Sequence, residues 1–257
     1  ALFSLLNMIY GHITIVLISV FEGSTPTGLF SAGWKLIVFL GVIPHSFGRA
    51  LFPFFTNLYS SNPDSMKKAC IRSTRNLLQV AVPITVVLYL ITSEVVNLLF
   101  TGYEPTINVF RLLVWMIPFL FMNGSLRMVL WSTDQTIETS KNLLYSSLFL
   151  IISGIILINE FGIIGAAGAV VSAEILYFTT NYLKIKVSLG NIWSRDLIIT
   201  AMIAFISMIF MLFNESLDFI PKYLFIPIYV IIYIAALYYL NAIKKEDIEA
   251  LKSIMPF

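Results

Sequence analysis

Residues 138–183 read ETSKNLLYSSLFLIISGIILI–NEFG–IIGAAGAVVSAEILYFTTNYL. Two apolar runs, about Glu138 to Ile158 and Ile163 to Leu183, flank the turn Asn159-Glu-Phe-Gly162. Each run is close to the roughly 20 residues that an α-helix needs to cross a bilayer. Lys141 lies at the outer end of the first run, and Lys184 lies just beyond the second. This is the pattern of a membrane hairpin with both open ends on the basic side.

The same reading extends in both directions. Apolar segments are expected at about Ala1 to Phe21, Gly28 to Tyr59, Cys70 to Ile91 and Ile107 to Trp131. Two more follow the hairpin, at Leu197 to Phe213 and Pro221 to Leu240. A short interfacial helix is expected over Ser93 to Phe100, and a charged, amphipathic tail from Asn241. The long second segment, called helix B here, is expected to tilt or to kink at Pro44 or Pro53. The expectation is an all-α integral membrane protein with about eight transmembrane helices. Its composition agrees: 58% of residues are hydrophobic and only 12% charged, against about 25% charged in ordinary soluble domains.

Charge placement orients the chain. Lys67, Lys68, Arg72, Arg75, Arg127, Lys141, Lys184, Lys186, Arg195, Lys244, Lys245 and Lys252 fall on one side, and only Arg111 and Lys222 on the other. The bias of twelve to two puts the first side and the C-terminus in the cytoplasm. The net charge of +2 is too small to suggest nucleic-acid binding, and a single cysteine, Cys70, rules out an internal disulfide. The chain starts at Ala1 and enters a hydrophobic helix at once, which reads as a fragment lacking a substantial N-terminal part.

The two remaining cations fall inside helix B. Lys35 and Arg49 are 14 residues apart, so their side chains lie within about 40° of each other on the helix. A charge at the bilayer centre costs on the order of 3 kcal/mol and usually faces a protein interior or a wet cavity. With Ser31, Ser46 and the adjacent His45, this stripe is expected to line a cationic cavity. The alternative is snorkelling of both cations with no ligand. Glu174, deep in the second arm of the hairpin, could pair with a helix B cation, carry a coupling proton, or be a hydrogen-bonded packing residue. His12 and Thr14 are polar residues midway along the first helix. Asn123 and Arg127 lie one helical step apart, and Arg127 is read as a headgroup contact near the inner surface. The small residues Gly162, Gly165, Ala166, Ala167, Gly168, Ala169 and Ser172 signal close helix packing.

No Gly-rich phosphate loop, H-E-x-x-H or C-x-x-C occurs, and two histidines exclude a histidine-rich metal site. No cofactor and no enzymatic activity are expected.

Several stretches resemble one family in order and spacing. They are Ile9-Tyr-Gly-His-Ile13, Thr27-Gly-Leu-Phe-Ser-Ala-Gly-Trp-Lys-Leu36, Ile43-Pro44, Ala50-Leu-Phe-Pro53, Leu98-Leu-Phe-Thr-Gly-Tyr-Glu-Pro105 and Phe161-Gly-Ile-Ile-Gly-Ala-Ala-Gly168. Over Ala1 to Lys186 the chain is similar to the second half of the polysaccharide and O-antigen flippases of the multidrug/oligosaccharidyl-lipid/polysaccharide exporter superfamily. That resemblance implies the second six-helix bundle of a MATE-like transporter over residues 1–190. Two additional helices and the cytoplasmic tail would occupy 191–257. It also implies partners: a lipid-linked oligosaccharide, membrane lipids and the missing N-terminal half. The setting would be the inner (cytoplasmic) membrane. Relatives carry a basic and then an acidic residue where His12 and Thr14 stand, so the acidic partner is absent here. A cation-coupled multidrug exporter, and an integral-membrane glycosyl- or acyltransferase, are the alternatives.

Overall fold

The computed structural model describes residues 2–100, 102–217, 221–240 and 242. Its elements are helical throughout: α1 (Leu2–Phe21), α2 (Ser24–Leu40), α3 (Val42–Ser61), α4 (Pro63–Leu90), α5 (Thr92–Leu99), α6 (Thr106–Leu113), α7 (Ile117–Ser132), α8 (Thr136–Leu189), α9 (Arg195–Leu217) and α10 (Lys222–Tyr239). The tail with Lys244, Lys245 and Lys252 lies outside the described residues.

Six continuous helical stretches among the described residues are long and apolar enough to cross a membrane. One of them is α8, 54 residues long, which is interrupted at Gly162 (φ 57°, ψ −138°). That backbone conformation is open essentially to glycine alone. The arms at 136–161 and 163–189 run antiparallel, because Asn142 Nδ2 donates to Asn181 Oδ1 at 3.0 Å and Glu138 reaches Lys184 at 2.8 Å. With the arms taken separately, and with the shorter apolar stretch Tyr223–Tyr239, the described residues hold the eight spans read from the sequence. The turn is tight: an added Cβ at Gly165 would overlap the Leu157 carbonyl.

Two interruptions have a common cause. Proline lacks the N–H that would reach the carbonyl four residues back, and its ring crowds that carbonyl. Helix B breaks between α2 and α3 at Gly41, one turn before Pro44 rather than at Pro44 or Pro53. The span of α6 and α7 passes through a 3₁₀ turn at Val114–Met116, and Pro118 would have bonded Val114. The third difference is the start of α4. The Asn62 side chain accepts from the Ser65 N–H at 3.1 Å, Pro63 occupies the first turn and Asp64 favours the helix dipole. The helix therefore begins seven residues before Cys70 and carries Lys67, Lys68, Arg72 and Arg75 within it.

α1 lies along the α8 hairpin, and α7 packs among α3, α4 and α8. α3 and α7 cross closely: a Cβ on Gly48 would come within 2.6 Å of Met128 Cγ, and one on Gly124 within 2.7 Å of Pro44 Cβ. Small residues permit such approaches where lipid offers no hydrophobic drive. Between α4 and α7, Ser125 Oγ lies 2.5 Å from Ser73 Oγ and accepts from Thr74 at 3.2 Å. α9 and α10 pack on α4 from outside this bundle.

Candidate functional site

An open cavity of about 580 Å³ lies between α1, the α2–α3 junction, α7 and the second arm of α8. Ligand pockets commonly occupy about 300–1,000 Å³. α1 contributes Ser4, Asn7, Tyr10 and His12, α2 contributes Trp34, and α3 contributes His45. Asn123 and Arg127 come from α7, and Glu174 and Tyr177 from α8.

Periodicity explains the convergence. On α7, Asn123 and Arg127 are four residues apart. On α8, Glu174, Tyr177 and Asn181 are three and four apart, so each set shares a face. These faces meet in a buried polar ladder. Tyr10 OH donates to Glu174 Oε2 at 3.2 Å, and Asn123 Nδ2 donates to Glu174 Oε1 at 2.7 Å. Asn181 Nδ2 donates to Asn123 Oδ1 at 3.2 Å, and Asn142 continues the line to Asn181. Glu174 is 3% exposed and Asn181 fully buried. Polar groups so placed need partners, because hydrocarbon supplies none. Four spans are thereby tied together.

The cation of the cavity wall is Arg127. Its Nη2 lies 3.5 Å from His45 Nδ1, and its Cζ stands over the rings of Phe3 (5.6 Å) and Trp131 (5.7 Å). Its Nε is buried without a hydrogen-bond partner. The Thr14 hydroxyl is likewise buried and unpartnered.

Of the residues singled out in the sequence, His12, His45 and Glu174 line this cavity, and Lys35, Arg49, Ser31 and Ser46 do not. Lys35 and Arg49 are exposed. Their mutual alignment does not fix which way the helix faces. The lining residues Trp34, Ile37, Gly41, Pro44 and His45 define a stripe, and the four others lie roughly 90–150° round the helix from its centre, counting 100° per residue. They flank the edge formed by Val38 and Val42, and Arg49 remains within electrostatic range of His45. Glu174 makes no ion pair with a helix B cation among the described residues; its partners are Tyr10 and Asn123. Arg127, read as a headgroup contact, lines this cavity. The signal that could have shown this is the shared face of Asn123 and Arg127 opposite the polar face of Glu174 and Asn181.

Residues 1–103 match a family model described as "Polysaccharide biosynthesis protein". Among solved structures, the chain is similar to "Lipid II flippase MurJ, inward closed conformation", with a TM-score of 0.69 and 16% sequence identity over 94% of this chain and 52% of that one. The two share a fold. Both findings agree with the resemblance read from the sequence: the family model is one of polysaccharide biosynthesis, and the shared fold is that of a solved flippase. No curated protein matches. The chain spans about half the length of the MurJ structure. Within the MurJ-like fold, the cavity opens beside α1 and the α2–α3 junction, and 16% identity carries no side-chain role across.

Proposed function

We propose that this chain is part of a flippase that moves a lipid-linked oligosaccharide of the polyprenyl-phosphate type across the cytoplasmic membrane by alternating access. The observation that carries this reading is the cavity set into the wall of a MurJ-like half, which places a cation and several hydrogen-bonding groups among apolar side chains. Moving a phosphate and a glycan through hydrocarbon would strip charge and hydroxyls of water at large cost. A wet cavity with a fixed cation and hydrogen-bonding groups lowers that cost. In this proposal a second bundle faces α1 to α3 and the two rock about the cavity between them. Lys35 and Arg49 stand at the cavity edge, where they meet anionic groups entering or leaving. The basic ends of α4 and α8 face the cytoplasm. With Arg127 assigned to the cavity, the bias is still eleven basic residues against two.

The test is genetic. Deleting the gene should abolish surface glycan and leave the lipid-linked precursor on the inner leaflet, and the full-length gene should restore both. Normal surface glycan with no trapped precursor would overturn the proposal. Orientation is checked separately by cysteine labelling of intact cells: Lys68→Cys and Lys186→Cys should be protected, and ready labelling from outside would reverse the topology.

A further inference from the structure

The carboxylate beside Arg127 is engaged elsewhere. Glu174 spends Oε2 on Tyr10 and Oε1 on Asn123. Asn123 is one helical turn from Arg127, about 6 Å along the same face, so the carboxylate stands near the guanidinium and its charge reaches it through space. Yet no ion pair joins them among the described residues. Arg127 is left with a long contact to His45, two aromatic faces and an unpartnered Nε. A guanidinium offers five N–H donors, and this one has almost no protein acceptors. Tyr177 adds a second donor. It is 4% exposed and lines the cavity; its oxygen makes no well-formed hydrogen bond, with the Asn181 amide and the Arg127 guanidinium directed toward it, and its own O–H is free to donate. This wall therefore holds an excess of donors, and a bound oxyanion would balance it.

We propose that Arg127 and Tyr177 form an oxyanion subsite that Tyr10 and Asn123 keep clear of Glu174, by holding that carboxylate in hydrogen bonds that prevent it from closing onto the arginine. Tyr10 and Asn123 act as positioning residues. Without either, a freed Glu174 oxygen becomes an internal anion that competes for Arg127. The subsite takes a phosphate ester or a sugar carboxylate. The identity of the ligand rests on the flippase reading above; the separation of Glu174 from Arg127 does not.

The full chain, purified in detergent, is titrated with a short-chain prenyl phosphate, the neutral prenol, inorganic phosphate and glucuronate. Tryptophan fluorescence is a fitting readout because Trp131 packs against Arg127. Arg127→Ala should weaken anion binding at least tenfold, and Arg127→Lys less. Asn123→Ala and the conservative Tyr10→Phe should each weaken it by about threefold, the scale of one hydrogen bond. The decisive variant is Asn123→Ala with Glu174→Gln: removing the competing charge should restore affinity, which a packing defect would not do. Prenyl phosphate binding without glucuronate binding assigns the oxyanion to the lipid headgroup. The reverse assigns it to an acidic sugar, and tight inorganic phosphate binding assigns it to free phosphate. Each of these upholds the subsite. Prenol binding as tightly as the phosphate, wild-type affinity in Arg127→Ala, or no rescue in the double variant would overturn it. Arg127-dependent binding in a protein that leaves surface glycan unaffected would sink the flippase reading and leave the subsite standing.

Discussion

The bundle core and the C-terminal pair are both helices packed on helices, yet they are held by different forces. Around α7 and α8, contact is made by a ladder of buried amides and a carboxylate and by glycine-mediated close approach. Around α4, α9 and α10, contact is apolar, with aliphatic side chains such as Val82, Val86, Leu197 and Met211 and a row of rings, Phe225, Tyr229 and Tyr233, with centroids 6.2 and 5.8 Å apart. One polar clasp fixes that row, with Tyr233 OH donating to the Gln79 carbonyl at 3.0 Å and Gln79 Nε2 to the Ala242 carbonyl at 2.9 Å. Beside the clasp, Arg75 meets Asp196 at 3.6 Å. Directional bonds give the bundle a single register. Ring stacking tolerates small slips. The difference suits a rigid cavity wall with a more adaptable buttress against lipid.

The largest way to break the contrast is at the hairpin turn. Gly165→Ala places a methyl group on the Leu157 carbonyl and should cost about 3 kcal/mol or more, read as a collapse of folded protein in a detergent melt. An unchanged melt would show that the turn is loose. Phe225→Ala, which removes a ring packed on Phe210 and Tyr229, should cost about 3 kcal/mol, the low end for a buried ring. It should release α10 to protease while anion binding in the cavity persists. Loss of binding would show that the two regions are coupled. Glu174→Ala orphans the Tyr10 and Asn123 donors and should lower stability by about 1–3 kcal/mol, since hydrogen bonds in membranes are individually modest. The smallest effect is expected from Tyr233→Phe, about 1 kcal/mol for one hydrogen bond, measured as a slight rise in amide exchange of α10. An effect equal to that of Glu174→Ala would erase the distinction.

Spans and their order were legible because apolar length and basic loops report directly on the bilayer. So was the turn at Gly162, since Asn159-Glu-Phe-Gly162 punctuates two apolar runs. Which face of helix B meets the cavity was not. Lys35 and Arg49 announce themselves by cost in lipid, but the inward stripe is set by Trp34, Ile37, Gly41 and Pro44, whose types are ordinary in any membrane helix. Arg127 was hidden by its position near the end of α7, where a basic residue reads as a topology signal. The packing of α3 and α4 over that end, through Gly48, Met128 and Ser125, converts it into interior. Glu174 was visible as an anomaly, but its partners come from helices 51 and 164 residues away in sequence.

The α8 hairpin is pinned at both ends. Gly162 and Gly165 fasten the closed end, and at the open end Glu138 reaches Lys184 across the arms at 2.8 Å. One turn further in, Asn142 and Asn181 bond one arm to the other. A beam fastened at both ends can serve as a lever but not as a joint. Flexure of this half of the molecule is therefore concentrated where proline has already removed a backbone bond, at Gly41 before Pro44 and in the 3₁₀ turn before Pro118. Both joints border the same cavity, through Gly41, Pro44 and Met116. A bend at either would change the shape of the chamber while the carboxylate and amides of the beam keep their spacing.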